Sequence, residues 1–370
     1  MKVCLDIQPA LAQRAGVGRY TRMLAEHLAE QRGGDQLELF YFDFKRVGCD
    51  FAPPGATQKP VRWIPGRYVQ QSWKRFNTPP FNWLSGPADV YHFTNFIRPP
   101  LTRGKSVVSI HDASFIRHPE TTEAKNYRYL TRCIRRTVEQ ADAIITISHF
   151  TANELASLLD APRAKLFPIH CGLTANHQRA PAPAIDAVRK KHNLSRPYLL
   201  SVGTIEPRKN FAFLIDVFEQ LPFDGDLVIA GMKGWKTEGF FERLKKSARR
   251  DRIRWLEYVD EADMPALYSG AELYVTPSLY EGFGFTPLEA MQCDTPVVAS
   301  QGGSLPEVLG DAAVIVRDFE IDAWTTAVKT LLASPTSRAA LIAKGKTQVA
   351  KYSWEENARQ TWSVYRSLVP

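Results

Sequence analysis

The sequence predicts an α/β protein built from two doubly wound parallel-sheet domains. Three observations lead there. Short apolar runs alternate with helical periodicities along most of the 370 residues, the pattern of parallel strands joined by crossover helices. That length is too great for one ordinary core and about right for two. The alternation lapses once, at 174–184 (Thr-Ala-Asn-His-Gln-Arg-Ala-Pro-Ala-Pro-Ala), where an exposed linker is expected, and then resumes. The expected bodies are residues 1–175 and 185–352, followed by a last helical segment, 353–370.

Bulk composition narrows the class. Hydrophobic residues make up 44% and charged residues 23%, the profile of a water-soluble globular protein. No apolar run approaches the roughly 18 residues of a membrane span. Asp6 and Pro9 interrupt the N-terminal apolar run before it could serve as a signal peptide, so a cytoplasmic setting is expected. The five cysteines (Cys4, Cys49, Cys133, Cys171, Cys293) form no CxxC pair, which points to neither a zinc site nor a disulfide framework. A net charge of +8 favours anionic partners: phosphates, nucleic acid or an anionic membrane surface.

In chain order, Lys2 to Ile7 reads as a strand, followed by a glycine-containing loop and a helix with Tyr20, Leu24, His27 and Leu28 on one face. Gly16 and Gly18 are followed by Tyr20 and Thr21, so the full GxGxxG dinucleotide fingerprint is absent. Leu37 to Phe44 is a second strand. Residues 45–88 read as irregular, with no clean amphipathic helix. There Arg62, Trp63, Arg67, Tyr68 and Lys74–Phe76 mix basic and aromatic character, as suits a membrane interface or glycan surface, or else a core with a solvated face. Asp89–Thr94 and Lys105–Ile110 are strands, the second ending in His111-Asp112-Ala113-Ser114-Phe115, where open parallel sheets place ligands. Thr121–Gln140 is a helix with a basic face. Ala143–Ser148 and Lys165–Ile169 are strands flanking a helix at Phe150–Leu159.

The second half repeats this plan. Strands are expected at Tyr198–Val202, Asp226–Ala230, Ile253–Val259, Leu273–Thr276, Pro296–Ser300 and Ala313–Val316, and three helices, at about 320–333, 336–350 and 353–368, end the chain. Arg208 and Lys209 lie between the first of these strands and a helix N-terminus, where two cations and unpaired N–H groups make an anion site. The stretch Glu281-Gly282-Phe283-Gly284-Phe285-Thr286-Pro287-Leu288-Glu289 follows another strand end. Its glycine turn and helix start suit a phosphate, and its two carboxylates, eight positions apart, suit hydroxyls. Together they suggest a nucleotide sugar. The same two carboxylates could instead be the acid and base of a glycosidase, which spacing neither requires nor excludes.

At this point the residues resemble the GT-B glycosyltransferases of family 4, a retaining group. Gly16-Val17-Gly18-Arg19-Tyr20-Thr21 is similar to the family's first loop, His111–Phe115 to its HDxSF segment, and Ile145-Thr146-Ile147-Ser148 to its ITVS strand. Gly203-Thr204-Ile205-Glu206-Pro207-Arg208-Lys209-Asn210 resembles its GTxEPRKN loop, and Glu281 to Glu289 its EX7E motif. The likeness runs from about residue 3 to about residue 359. One departure is that Gly16 and Gly18 are not adjacent.

The resemblance implies two Rossmann-like domains facing across a cleft, the first binding acceptor and the second the donor, with the last helix crossing back to the first. It implies catalytic roles for His111, Arg208, Lys209 and Glu281. Arg208 and Lys209 would hold the diphosphate, Glu281 the sugar hydroxyls and Glu289 the ribose. Gly203, Gly282, Phe283, Gly284, Phe285 and Thr286 would contact phosphate and sugar. Lys233, Tyr258 and Val259 would line the base site, and Gly16, Val17, Gly18 and Asp112 the acceptor and phosphate loop.

No cofactor or metal is expected, because two cations and backbone donors can stabilise the leaving diphosphate and no DxD-like pair sits at a ligand-facing strand end. The implied partners are a nucleotide sugar, GDP-linked or alternatively UDP-linked, and a lipid-linked glycan reached peripherally at the inner membrane face. The motif versions look most like mannosyl- and rhamnosyl-transferring relatives acting in polysaccharide or O-antigen synthesis. No nucleic-acid partner is expected, since Glu281 and Glu289 would have no use there. A nucleotide-binding oxidoreductase is the alternative from another class, and it lacks its fingerprint.

Overall fold

The computed structural model describes residues 1–12 and 16–369. Residues 13–15, part of the loop expected after the first strand, and residue 370, in the last segment, lie outside the described residues. The chain forms two compact units. One comprises Met1–Arg117, Ala124–Gly172 and Ser353–Pro370, the other His118–Glu123 and Leu173–Tyr352.

The first unit is built on seven parallel strands: β1 Lys2–Asp6, β2 Gln36–Phe42, β3 Ala56–Val61, β4 Val90–Phe93, β5 Lys105–Ile110, β6 Ala143–Thr146 and β7 Leu166–Pro168. Their order is β3-β2-β1-β4-β5-β6-β7, and every pairing is parallel. The inner strands β4 and β6 are buried at every position, which is why they read as largely apolar runs rather than alternations, with the buried His92 the exception in β4. Phe40, Phe81, Tyr91, Phe93, Val108 and Ile144 share one core cluster.

Residues 45–88 are more regular than the sequence suggests. They hold β3, a helix at Gly66–Phe76 and another at Phe81–Ser85. β3 is an edge strand, where Pro60 is tolerated, and it has little apolar content to betray it. The helix Gly66–Phe76 buries only Val69 fully, and half-buried Trp73 is anchored by its Nε1–H to Pro79 O at 2.7 Å. Val69 and Trp73, four positions apart, form its inner side, so the helix is amphipathic where none was expected; its apolar pattern is short and set among exposed basic and aromatic residues.

The second unit has six parallel strands: β8 Tyr198–Val202, β9 Asp226–Ala230, β10 Ile253–Leu256, β11 Leu273–Thr276, β12 Val297–Ser300 and β13 Ala313–Val316. Their order is β10-β9-β8-β11-β12-β13. Leu199, Ile215, Phe218, Ile229, Val275 and Trp324 belong to its core. Both sheets reverse their winding beside their first strand, between β1 and β4 and between β8 and β11. Such reversals open the crevice in which doubly wound sheets bind ligands.

Two boundaries differ from those the sequence suggests. The stretch expected as an exposed linker is mostly exposed but is tethered to the second unit: His177 is 3% exposed, Ala180 N–H donates to Ser269 Oγ at 2.9 Å, and Gln292 Nε2 donates to Thr174 O at 3.2 Å. Its Pro-Ala-Pro run is the entry to a helix, Ala182–Lys191, since proline suits a first turn whose N–H groups have no intrahelical partner. The segment His118–Glu123 also belongs to the second unit, held there by Trp235 Nε1–H to Thr121 O at 2.8 Å and Lys236 Nζ to Glu120 O at 2.5 Å. The helix expected from Thr121 therefore starts at Ala124.

The last helix, Trp354–Leu368, is part of the first unit. Ser353 caps it, its Oγ accepting from Glu356 N–H at 3.1 Å, with Glu356 in the capping-box position. Its stripe of Trp354, Ala358, Trp362 and Tyr365 is buried. Trp362 Nε1–H reaches Leu28 O at 3.1 Å, and the Tyr365 hydroxyl lies 2.6 Å from His92 Nδ1. Burial holds His92 far below its ordinary pKa, at about 3, with a smaller contribution from His111. Among the described residues no helix is long and apolar enough to cross a membrane.

Candidate active site

In the second unit, β8 and β11 are neighbours at the winding reversal, so the loops leaving their carboxyl ends meet. After β8, Pro207–Lys209 forms a single 3-10 turn, and Asn210, at φ 55°, redirects the chain into the helix Phe211–Gln220. Arg208 O accepts Leu279 N–H at 2.8 Å, which ties this loop to the one after β11. There the backbone of Glu281 is clamped from a third side. Ser304 N–H and Oγ–H both donate to Glu281 O, at 2.9 and 3.1 Å. Gly303 has φ 67° and passes so close that a Cβ would lie 2.2 Å from that oxygen. The Gly302-Gly303-Ser304 turn after β12 was passed over in the sequence, although adjacent glycines past a buried strand mark such a close backbone approach.

The side chains converge on one carboxylate. Glu281 Oε1 accepts from Lys209 Nζ at 2.6 Å and from Ser278 Oγ at 2.6 Å, and Oε2 from Arg208 Nη1 at 2.9 Å. Arg208 Nη1 also reaches Tyr280 O at 2.6 Å, and Nη2 reaches Glu206 Oε1 at 2.5 Å. Glu281 is 9% exposed. Burial alone would raise its pKa, but Lys209 and Arg208, with the Lys209 and Ser278 hydrogen bonds, outweigh it and hold the group at about 2. Such a group stays ionised at neutral pH and is a poor proton donor or acceptor there, so it does not fit the acid–base role of a glycosidase.

Glu289 lies in the helix Phe285–Gln292, which starts earlier than its proline suggests. It sits one turn in, is 4% exposed, and accepts from the Tyr268 hydroxyl at 3.0 Å, with His177 Nε2 3.8 Å away. A first-turn carboxylate serving only the helix dipole would need neither burial nor these partners. Gly284 precedes the helix at φ 106°, and a Cβ there would meet Leu305 at 2.8 Å. Thr286 Oγ1 accepts from the Tyr274 hydroxyl at 2.7 Å. Gly282 and Phe283 are buried in the turn between.

Around the neighbouring strand ends, Gly203 sits beside Lys209, whose Cε would be 3.1 Å from any Cβ at 203. Lys233 pairs by a parallel bridge with Ile205 and lies 5.3 Å from the Phe241 ring centre. β10 ends at Leu256, so Tyr258 and Val259 belong to the loop beyond it rather than to the strand. Tyr258 is 62% exposed.

The other expected site residues belong to the first unit. His111 is buried at the end of β5, with Nε2 2.8 Å from Thr94 O and its ring edge-on to Tyr20 and Phe96. Burial lowers its pKa, against the Thr94 hydrogen bond and Asp112. Asp112 Oδ1 accepts from Ser114 N–H and Oγ–H at 3.0 and 2.7 Å, which starts the turn into Ser114–Arg117. Gly16 alone remains outside the next helix, as its N-cap at φ 59°, while Val17 and Gly18 form the first turn of Val17–Glu30. The segment expected as a loop through Gly18 thus ends earlier, with its N–H groups at a helix start.

Comparison with known proteins now decides the family. Residues 14–177 match Glycosyltransferase Family 4, and residues 184–348 match Glycosyl transferases group 1. The chain belongs to glycosyltransferase family 4. The transferase is 28% identical to O-antigen chain mannosyltransferase B of Escherichia coli over the whole of both chains. It is 30% identical to the serotype-specific mannosyltransferase WbdA of Escherichia coli, over 60% of this chain and 28% of that protein. Sucrose-phosphate synthase from Thermosynechococcus elongatus shares its GT-B fold, with a TM-score of 0.78 at 21% identity over 100% of this chain and 99% of the other.

Within the second unit of the transferase, the fold brings Arg208, Lys209 and Glu281 into direct contact. It adds Glu206, Ser278, Tyr268 and His177, none of which the motif reading singled out as site residues. The linked pKa gives a pH dependence. Glu281 lies well below its ordinary value in the folded chain, so its pairing stabilises the fold fully above about pH 4.5 and is lost as pH falls toward 2. Glu281→Gln is expected to lower urea stability at pH 7, with the gap to wild type narrowing steadily between pH 4.5 and 2.5. A gap that stays constant over that range would remove this pairing from the stability of the fold.

Proposed function

We propose that the transferase moves a hexose, mannose or a related deoxyhexose, from a GDP-linked donor to a growing lipid-linked glycan with retention of configuration. The observation that carries this reading is the buried carboxylate of Glu281, shared by Lys209 and Arg208 at the end of β11. Full-length similarity to a protein named an O-antigen chain mannosyltransferase supports the sugar and the glycan.

The roles follow from charge. Arg208 and Lys209 face the diphosphate and stabilise the negative charge that grows on it as the anomeric C–O bond breaks. Glu281, ionised, accepts hydrogen bonds from sugar hydroxyls. Glu289, held by Tyr268, accepts from the ribose hydroxyls. With no carboxylate assigned as nucleophile, the acceptor hydroxyl attacks from the face the diphosphate leaves, and its proton passes to a departing phosphate oxygen. Two side-chain cations and backbone donors serve where other transferases use a divalent ion, so no metal is required.

Transfer assays with GDP-mannose, other GDP-hexoses and UDP-sugars test the donor. Turnover is expected with a GDP-sugar and is expected to survive EDTA. Turnover with UDP-sugars alone would select the other base, NAD binding with no sugar-nucleotide turnover would overturn the reading, and strict restoration by Mn²⁺ would overturn the metal-free mechanism. Lys209→Ala is expected to lower kcat about 100-fold or more, the scale for loss of a transition-state charge stabiliser. Near-wild-type kcat would take Lys209 out of the chemistry.

The acceptor side is proposed to meet an anionic bilayer. The helix Gly66–Phe76 carries no acidic residue, and Trp63, Tyr68, Phe76 and Trp83 on and around it are 52–71% exposed. Lys74 Nζ lies 4.0 Å from the ring centre of Tyr129 on Ala124–Gln140, which joins this face to the exposed cations Lys125, Arg128 and Arg132 of that helix. Exposed aromatics among cations suit the headgroup region of an anionic membrane. Co-sedimentation with phosphatidylglycerol vesicles at low salt is expected, weakened by added salt and by Trp63→Ser/Phe76→Ser. Equal affinity for neutral phosphatidylcholine vesicles, or no binding to either, would overturn it.

A further inference from the structure

Glycosyl transfer accounts for both cations of the site but gives no role to Glu206. Its side chain is only 3% exposed, it sits on extended backbone one residue before the Pro207–Lys209 turn, and its Oε1 accepts from Arg208 Nη2 at 2.5 Å. A buried carboxylate is costly to desolvate, and one beside an anion site repels the diphosphate. Burial pushes Glu206 above the ordinary carboxylate range, while Arg208 and Lys209 pull the other way. A group that is costly in both respects needs a compensating effect, and the geometry of Arg208 suggests one. The guanidinium is gripped along two directions, by Glu206 through Nη2 and by Glu281 and Tyr280 O through Nη1. Without Glu206 the planar fork of Arg208 could turn both nitrogens onto Glu281, the bidentate pairing that arginine and carboxylate favour. It would then be drawn toward the sugar-binding carboxylate and away from the leaving group. The formal charges of Glu206, Glu281, Arg208 and Lys209 also sum to zero, whereas without Glu206 the cluster would be cationic.

We propose that Glu206 is a positioning residue with two effects: it fixes the direction in which Arg208 meets the donor diphosphate, and its charge weakens the hold on the nucleoside diphosphate left after transfer, so that this product departs. The proposal rests on the reading that Arg208 and Lys209 bind the donor diphosphate. It assigns Glu206 no contact with substrate.

The two effects separate in two variants. Glu206→Gln keeps an acceptor for Arg208 but removes the charge. Calorimetric titration with GDP and with UDP is expected to show the preferred nucleotide bound roughly threefold to tenfold more tightly than by wild type, the effect of one unit charge several ångströms away at a partly exposed site. Its binding should weaken more steeply with salt, and donor KM and kcat should fall together as product release slows. Glu206→Asp keeps the charge but is one methylene too short to hold Arg208. It is expected to lose kcat while nucleotide affinity stays near wild type. Structural damage alone would weaken nucleotide binding in both variants and would not produce tighter binding in one of them.

If Glu206→Gln does not fold, the aspartate variant still decides the positioning effect. Wild-type kcat in Glu206→Asp, or unchanged or weaker nucleotide binding in a folded Glu206→Gln, would overturn the proposal and leave the donor reading standing. Wild-type protein that binds neither GDP nor UDP would overturn the donor reading and the proposal with it.

Discussion

The carboxylate of Glu281 is the constraint on which the second unit depends. It is buried, it is ionised, and it is shared between two cations from a different loop. Each of those facts requires the others. Burial without Arg208 and Lys209 would neutralise the group, and the two cations without Glu281 would repel each other in a half-buried turn. The backbone makes the meeting possible. Only a sheet whose winding reverses between β8 and β11 places the two loops side by side, and only glycine at 303 lets the turn after β12 close on the Glu281 carbonyl. A surface ion pair contributes little to stability. This one matters because it also orders three loops at a single point.

The chemistry of the site follows from the same electrostatics. A carboxylate held near pKa 2 is suited to accepting hydrogen bonds and poorly suited to moving protons at neutral pH. Glu289, buried and tethered by Tyr268, is also placed to accept. Beside Glu281 stand the cations Arg208 and Lys209, next to the N-terminus of the helix Phe211–Gln220, an arrangement suited to an anion rather than to proton transfer.

Much of this was legible in the sequence because the relevant signals are local. Short, largely apolar runs gave β4, β6, β8 and β11, the stripe from Trp354 to Tyr365 gave the last helix, and the two flanked loops, Gly203–Asn210 and Glu281–Glu289, marked the candidate site. The parts that were missed depend on partners distant in sequence. β3 is an edge strand with a proline and few apolar residues, so it carries no apolar alternation, and the helix Gly66–Phe76 has a helical pattern too short to stand out among its exposed basic and aromatic neighbours. His177 read as part of a linker because its burial is created by the second unit folding against it. Ser278, Tyr268 and Glu206 are ordinary residues in sequence, and become informative only when the Glu281 and Glu289 carboxylates are seen to need partners. His111 was expected on motif grounds, and its hydrogen bond to Thr94 O could not have been read from neighbours in the chain.

The ownership of the final helix has a topological consequence. Because Trp354–Leu368 completes the first unit, the main body of the second unit, Leu173–Tyr352, is an insertion within the first, and the first is discontinuous in the chain. On the ribosome the second unit can close while the first still lacks a wall of its core, with His92 waiting for Tyr365. The unit synthesised first is therefore the one that finishes folding last. Damage to the helix Trp354–Leu368 would be felt in a β-sheet whose last strand was made before the main body of the second unit.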